Sequence, residues 1–517
     1  MSNFQALVLP LSQRPGALLR PLVKPGDQVT AAQPVAVAEP VVGGLVDPTG
    51  GQVPAATLHS PLAGTVTDCR EHEVLLGGQL VQVPCLIVEP TFAPGESLKD
   101  HVQLVTAAPS AARSHIMARI VAALPNALDN LASPSARHKA MDAIAHDSGI
   151  IGLGGGGFPL HAKLTASVCR IVINAAECEP YADADNALML TAPGEVIAGC
   201  FLVCALLGLN ELTFAIKRSL SAARDLLETV EAQLRRLLGS ERQLPRITLL
   251  NIPAHYPAGA EQQVVKQAFG IEIPAGERAS QAGVACINVS TLAALGRFLL
   301  WQEPLSHRIV TVAGAAVARP GNYRVPVGLP AAQLLEAAGL MEARLAGLVH
   351  GGGMMGVPLQ NTWLPLGKSS YCLVAAGSND TGLAVEHAVR QRSGRPLDAS
   401  PCIRCGFCEP VCPVGLLPQQ LHFAAVAEDS DWLQAYHLSA CIECGACEAV
   451  CPSKLPLVAE YRTAKLNEHS NQLARQKASH ARLRFEQRTE RLRVEALERD
   501  AKRAARKAAA GIRRPKP

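Results

Sequence analysis

Between Cys402 and Pro452 the chain states one chemical pattern twice, CIRCGFCEPVCP at 402–413 and CIECGACEAVCP at 441–452. Each copy spaces its cysteines as CxxCxxCxxxCP, the spacing that holds a cubane iron–sulfur cluster. Two 4Fe-4S centres and one-electron chemistry are therefore expected. Three thiolates set three residues apart on a Gly-containing loop can wrap three corners of a cube, and the fourth must come from elsewhere.

In two-cluster ferredoxins the Cys before Pro crosses to the other cluster. That rule assigns Cys402, Cys405, Cys408 and Cys451 to one centre, and Cys441, Cys444, Cys447 and Cys412 to the second. Structural zinc and disulfides are the rival readings. Four-thiolate zinc needs neither a third Cys at the same interval nor a Cys-Pro pair. The other cysteines (Cys69, Cys85, Cys169, Cys178, Cys200, Cys204, Cys286, Cys372) are scattered, mostly among apolar neighbours, and no signal peptide is recognisable, so a reducing cytoplasm is expected.

A second chemical feature is GLGGGGFPLHAK, Gly152 to Lys163. Gly152, Gly154 and Gly157 satisfy GxGxxG, but the preceding HKAMDAIAHDSG has helical periodicity where a dinucleotide fingerprint requires a strand. The four adjacent glycines, Gly155 among them, support a phosphate cradle, because backbone N–H groups can approach an anion closely there. Pro159 is expected to start a helix whose positive end faces the loop, with Lys163 adding a charge one turn in. A glycine turn that binds nothing is the bland alternative. Next comes INAAECEPYADADNALM (173–189), which sets Glu177, Glu179, Asp183 and Asp185 just after a strand end, where α/β sheets bind ligands. An ordinary acidic loop is the alternative.

Positioning these residues takes several units. At 517 residues and 48% hydrophobic, the chain has room for three or four domains. Residues 1–95 alternate β-type runs with Pro/Gly turns. From 110 to 300 the pattern is α/β: helical stretches at 114–124, 136–146 and 220–238 alternate with strand-like RIVINA and RITLLNI. A smaller α/β unit follows at 305–365, and a Ser/Gly/Arg/Pro linker near 377–400 leads to the cluster module at 390–460. Between the motifs, Leu421, Phe423 and Val426, then Trp432, Leu433 and Tyr436, have helical spacing.

Residues 462–517 carry 17 Lys/Arg against 6 Asp/Glu, a local charge of +11 in a chain of net +4, so the rest totals −7. This tail reads as an exposed helix or a disordered arm. Contact with anionic lipid or an acidic partner, and a merely solvated helix, both stay open. No aromatic interleaving supports nucleic-acid binding, and none is expected. The longest apolar run, VIAGCFLVCALLGL at 196–209, falls short of the roughly 20 residues a bilayer requires. It is expected as a buried helix, with any membrane contact made through partners.

Taken in order, GLGGGGFPLHAK, INAAECEPYADAD, HYPAGAEQQVVKQAFG (255–270), INVSTLAALG (287–296), GGGMMG (351–356) and the paired cluster motifs closely resemble the RnfC (RsxC) family of the Rnf electron-transport complex. The N-terminal VKPGDxVxxxQPxA and SPxAGTV resemble the barrel-sandwich hybrid of biotinyl and lipoyl carriers. The intervening VVGGLVDPTGGQVPAATL has no Lys, so a structural or docking role is expected for this domain. The middle region resembles the NADH- and FMN-binding flavoprotein of respiratory complex I, and the 305–365 unit resembles the β-grasp soluble-ligand-binding (SLBB) domain. The implied fold is a multidomain α/β chain: barrel-sandwich hybrid β domain, FMN/NADH-binding α/β domain, β-grasp SLBB domain, α-helical ferredoxin domain with two 4Fe-4S clusters, and basic C-terminal helix or tail.

By that resemblance Gly152, Gly154, Gly155, Gly157 and Lys163 hold FMN, with Asn174 on the flavin, and Asn288 and Thr291 contact its phosphate or ring. Glu177, Glu179 and Glu261 line the NADH side as catalytic carboxylates, joined by Tyr256 and Gly259. The chain departs from the complex I pattern at Ala176 and Ala260, and from Rnf relatives at Leu160, Asn186 and Ala187. The resemblance implies hydride transfer from NADH to FMN and one-electron steps through both clusters toward ferredoxin or a ferredoxin-like subunit. The setting is a membrane-bound, ion-translocating complex at the cytoplasmic face of the bacterial inner membrane, with the other Rnf subunits as partners. A corrinoid reductase of the related microcompartment family and an electron-wire subunit without its own NADH site are the alternatives.

Overall fold

The computed structural model of the chain describes residues 5–14, 17–38, 55–106, 110–239, 242–275, 277–394 and 399–511. The segment 39–54, which covers most of the lysine-free stretch between the two carrier-like motifs, and the last six residues lie outside the described residues.

The N-terminal strands form two four-stranded sheets. Gly64–Leu76 and Gln79–Pro90 make one long hairpin that pairs Leu76 with Gln79. Its two-residue turn, Gly77 and Gly78, has φ of 58° and 79°. Such a turn needs positive φ at both positions, which glycine adopts freely. This unit is not self-contained: Leu7, Leu9, Leu58 and Leu86 share one core with Val310, Val312, Tyr323 and Leu373 of the β-grasp unit. Within that unit, six strands run in the order Val357–Pro358, Gly347–His350, Cys372–Ala376, His307–Ala313, Gly321–Pro326 and Gln103–Leu104. Its sheet thus draws strands from outside 305–365. The expected linker holds the helix Leu383–Arg392, whose Ala384, Val385 and Ala388 are buried, so much of that segment is packed structure.

Four parallel strands, Arg246–Ile252, Glu211–Lys217, Arg170–Ala175 and Val284–Asn288, make the central sheet. Alternate residues serve opposite faces. Ile171, Ile173 and Ala175 join the larger core, whereas Val172 packs with Val264 and Val265 on the other side. Pro193–Leu207 is buried along almost its whole length and is the core helix expected at 196–209. No single helix among the described residues is long and apolar enough to cross a membrane.

Three units meet at Lys368, whose ammonium donates to the carbonyls of Thr57 (2.6 Å) and Gly149 (2.8 Å). Burial pulls its pKa from 10.5 down to about 7. Between those values the unfolded chain binds the extra proton, so this group contributes stability that grows with pH. Wild-type stability is expected to gain on the order of 4 kcal/mol between pH 7 and pH 10 relative to Lys368→Met. Parallel denaturant titrations across that window check it.

In the cluster module Pro418–Val426 and Ser430–Ala435 bury Leu421 and Leu433 against Tyr461 and Ala464, while Val426 and Trp432 stay exposed. Tyr461 belongs to a 55-residue helix, Leu457–Gly511. Its first turns are therefore part of the module, and its described side chains from 477 to 508 are exposed. The basic tail is a helix along its described length.

Candidate functional site

The two cysteine loops repeat one backbone. Arg404 and Glu443, Gly406 and Gly445, and Gly415 and Lys454 occupy equivalent positions and all have positive φ, from 50° to 79°. Glu443 is held there by Lys465 (2.8 Å) and Arg462 (2.9 Å), and Lys465 also donates to the Cys441 carbonyl (2.6 Å). Non-Gly residues adopt this region rarely, so the pairing marks a duplicated, purpose-built loop.

Cys402, Cys405, Cys408 and Cys451 line one small pocket together with Gln419 and His422. On the other side, Cys412 lies within electrostatic range of Cys441, Cys444 and Cys447. Each motif's Cys before Pro thus stands with the other motif's three thiols. Among the described residues no His, Cys, Asp or Glu group is spaced to hold a single metal ion. Four thiols gathered in each set match the one ligand that each iron of a cube takes. All sixteen cysteines are free, and burial pushes the Cys204 thiol up to about 12, as suits an inert core residue.

A cavity of about 790 Å³ lies at the C-terminal ends of the central strands. Its lining includes every glycine, carboxylate and polar residue that the resemblance assigns to flavin and nucleotide, from Gly152 to Thr291. Gly154 to Gly156 are exposed, and a side chain at Gly154 would crowd Asn288 (3.3 Å) and one at Gly155 would crowd Tyr371 (3.1 Å). Open backbone against a roomy, mixed-polarity cavity fits a flat phosphorylated cofactor such as FMN.

The expected helix after Pro159 is absent. Ile151 and Pro159 instead form an isolated bridge, and residues 160–164 turn back on themselves (Lys163 N–H to the Leu160 carbonyl, 2.9 Å). Lys163 still reaches the cavity but is bound to Glu261 (2.8 Å) and the Cys286 carbonyl (3.2 Å). The helix N-terminus that does face the cradle is that of Val289–Trp301, capped by Asn288, while Thr291 accepts from the Leu153 N–H (2.8 Å).

Of the four clustered carboxylates, Glu177, Glu179 and Asp185 line the cavity; Asp183 turns away to Asn186 and Asn322. Asp185 accepts from Asn288 and Ser290 (both 2.6 Å), and its own N–H donates to Glu177 (3.1 Å). Glu179 accepts from the N–H groups of Met354 (2.7 Å) and Met355 (2.6 Å), in the loop GGGMMG. Burial, and then Asp185 beside it, holds the Glu177 carboxyl well above its usual pKa. That contribution is complete below pH 4.5 and is lost as pH rises through the raised value. Glu177→Gln is therefore expected to raise the holoprotein melting temperature more at pH 8 than at pH 6, which anaerobic scanning calorimetry at both values checks.

Sequence reasoning missed several residues of this site. Arg308, whose pKa burial pulls down to about 10, donates to the Leu153 carbonyl (2.8 Å) and so pins the glycine loop. Gln13, Arg14, Gly77 and Gly78 bring the N-terminal domain to the cavity wall. Arg14 has no local signal, whereas the Gly-Gly turn is visible in the sequence as a hairpin tip. Ile442, Glu443 and Cys444 close another side, and the Tyr256 hydroxyl donates to the Cys444 carbonyl (2.6 Å). Cavity and second thiol set are directly bonded neighbours.

Family models match in the expected order: the RnfC barrel sandwich hybrid domain at 1–93, the Nuo51 FMN-binding domain at 145–297, the SLBB domain at 309–358 and the 4Fe-4S dicluster domain at 401–455. FMN and 4Fe-4S clusters are accordingly the cofactors of this chain. A solved NAD+-reducing NiFe hydrogenase in the H2-reduced state is similar at 17% identity and a TM-score of 0.45, over 66% of this chain and 62% of that one. The C-subunit of the ion-translocating oxidoreductase complex of Pseudomonas aeruginosa is 35% identical over 96% of this chain and 57% of its own length. That of Yersinia pestis is 32% identical over 96% of this chain and 70% of its own. The chain spans about half the length of several such relatives, 57%, 54% and 42% in Pseudomonas aeruginosa, Erwinia tasmaniensis and Edwardsiella ictaluri. Its domain order and the similarity along nearly all of its length place the chain in the RnfC family, the C-subunits of ion-translocating oxidoreductase complexes.

Proposed function

We propose that the chain is the NADH-, flavin- and iron–sulfur-bearing peripheral subunit of a membrane-bound Rnf complex, passing electrons between NAD(H) and ferredoxin or a ferredoxin-like subunit. The complex as a whole couples that flow to ion movement. One observation carries the reading: the cavity that contains the glycine cradle and three carboxylates is walled by Cys444 of the second thiol set. FMN, when bound, takes up electrons in pairs and releases them singly, and each cluster carries one at a time.

The chain's own residues do the rest. Gly152, Gly154, Gly155 and Gly157 admit the cofactor close to the backbone, while Asn174, Asn288 and Thr291 edge the same cavity. Glu177 and Glu179 present acceptors to a nicotinamide amide or ribose hydroxyl, and Glu261 is steadied by Lys163. Tyr256 and Gly259 shape the wall next to Cys444. At the far end Cys405 is exposed, with Ile403 (66%) and Phe407 (59%) beside it, a suitable exit to an acceptor protein.

Anaerobic titration of the reconstituted chain with NADH tests the proposal. Flavin bleaching followed by loss of the cluster absorbance supports it, and no bleaching by NADH in a chain reducible by dithionite contradicts it.

A further inference from the structure

We infer that Arg14 and Arg278 form an anion subsite for the phosphates of the dinucleotide, so that the N-terminal domain supplies part of the nucleotide site. The inference rests on NAD(H) as the substrate class. Both residues line the cavity and both guanidiniums lie over the Phe158 ring, at 4.7 Å for Arg14 and 4.2 Å for Arg278. They arrive from separate parts of the fold. Arg14 ends the strand Ser12–Arg14 of the N-terminal sheets, and Arg278 precedes the central strand Val284–Asn288.

Phe158 directly follows the cradle, and the N-terminal strand is packed onto the cradle's end. A side chain at Gly157 would meet the Gln13 carbonyl at 3.7 Å and the Arg14 stem at 3.9 Å. Stacking on an aromatic ring orients a guanidinium plane through its face, and the N–H edge of a plane held this way is a fork that matches two phosphate oxygens. Two such planes on one ring, at the wall that continues the glycine cradle, concentrate positive charge where the phosphates of an extended dinucleotide would pass. The phosphate of the flavin is the other source of the same anion chemistry.

ADP-ribose, which carries the two phosphates without nicotinamide, is the probe. Calorimetry on anaerobic holoprotein is expected to show its Kd rising about tenfold or more in Arg14→Met and in Arg278→Met, with Arg14→Lys intermediate because charge is kept and the fork is lost. Flavin and cluster content should match wild type, and the NADH concentration for half-maximal bleaching should rise where that for reduced nicotinamide mononucleotide does not. Unchanged ADP-ribose affinity in both methionine variants overturns the subsite. So does loss of flavin with unchanged affinity in the flavin-replete fraction, which would give the arginines to the flavin phosphate. Arginine-dependent ADP-ribose binding without any bleaching by NADH would sink the electron-donor reading and leave the subsite standing.

Discussion

In Cys444→Ala, NADH should still bleach the flavin while no cluster signal responds. Cys444 is the one cluster cysteine lining the cavity among the described residues, and the Tyr256 hydroxyl bonds its carbonyl. On the proposed function its thiol set is the first station after the flavin. Cys405→Ala should behave oppositely, because Cys405 lies in the exposed pocket with Cys402, Cys408 and Cys451. That variant should lose one cluster's signal, keep flavin reduction, and still pass an electron to the cluster held by Cys412, Cys441, Cys444 and Cys447. Freeze-quench paramagnetic resonance after mixing with NADH separates the two cases.

A second large effect is expected from one methyl group at Gly259. Its Cβ would fall 1.8 Å from the Ala176 carbonyl and 3.0 Å from the Cys178 sulfur. The first of these atoms is backbone and cannot swing aside. The Gly259 carbonyl also accepts from Asn174 (2.9 Å), so the segment from Tyr256 to Glu261 is tied to the strand end that carries the carboxylates. Displacing it by about an ångström should lower the rate of flavin reduction by NADH about a hundredfold. Dithionite reduction of Gly259→Ala should remain at the wild-type level, since the cradle lies on another segment. Stopped-flow absorbance with each reductant measures both.

Residues whose chemistry is local were legible in the sequence. The CxxCxxCxxxCP spacing groups the cysteines that the fold gathers into two sets, each with the other motif's Cys before Pro beside its three thiols. RIVINA and RITLLNI are strands over the same residues; Ile171, Val172 and Ile173 of the first are a continuous β-branched run buried on both faces, whereas the second is a half-exposed edge strand. The helix expected after Pro159 does not form because the proline's preference for a first helical turn is weaker than the bridge that ties it to Ile151. Leu383–Arg392 is hidden by its Gly- and Ser-rich flanks, although Ala384, Val385 and Ala388 have helical spacing. Arg14, Arg308 and Arg462 reach the cavity region through docking of units far apart in the chain, which no local pattern encodes. In sequence Lys163 reads as a charge for phosphate, and its partner Glu261, 98 residues on, can be paired with it only in three dimensions.

Time-resolved reduction by NADH of the anaerobically reconstituted full chain, with flavin and cluster absorbance followed separately, shows whether electrons pass from the flavin to the clusters. Flavin bleaching is expected to come first, then two cluster phases, both of them lost in Cys444→Ala. Clusters that bleach ahead of the flavin, or an assembled chain whose eight motif cysteines bind zinc instead of iron and sulfide, would contradict it.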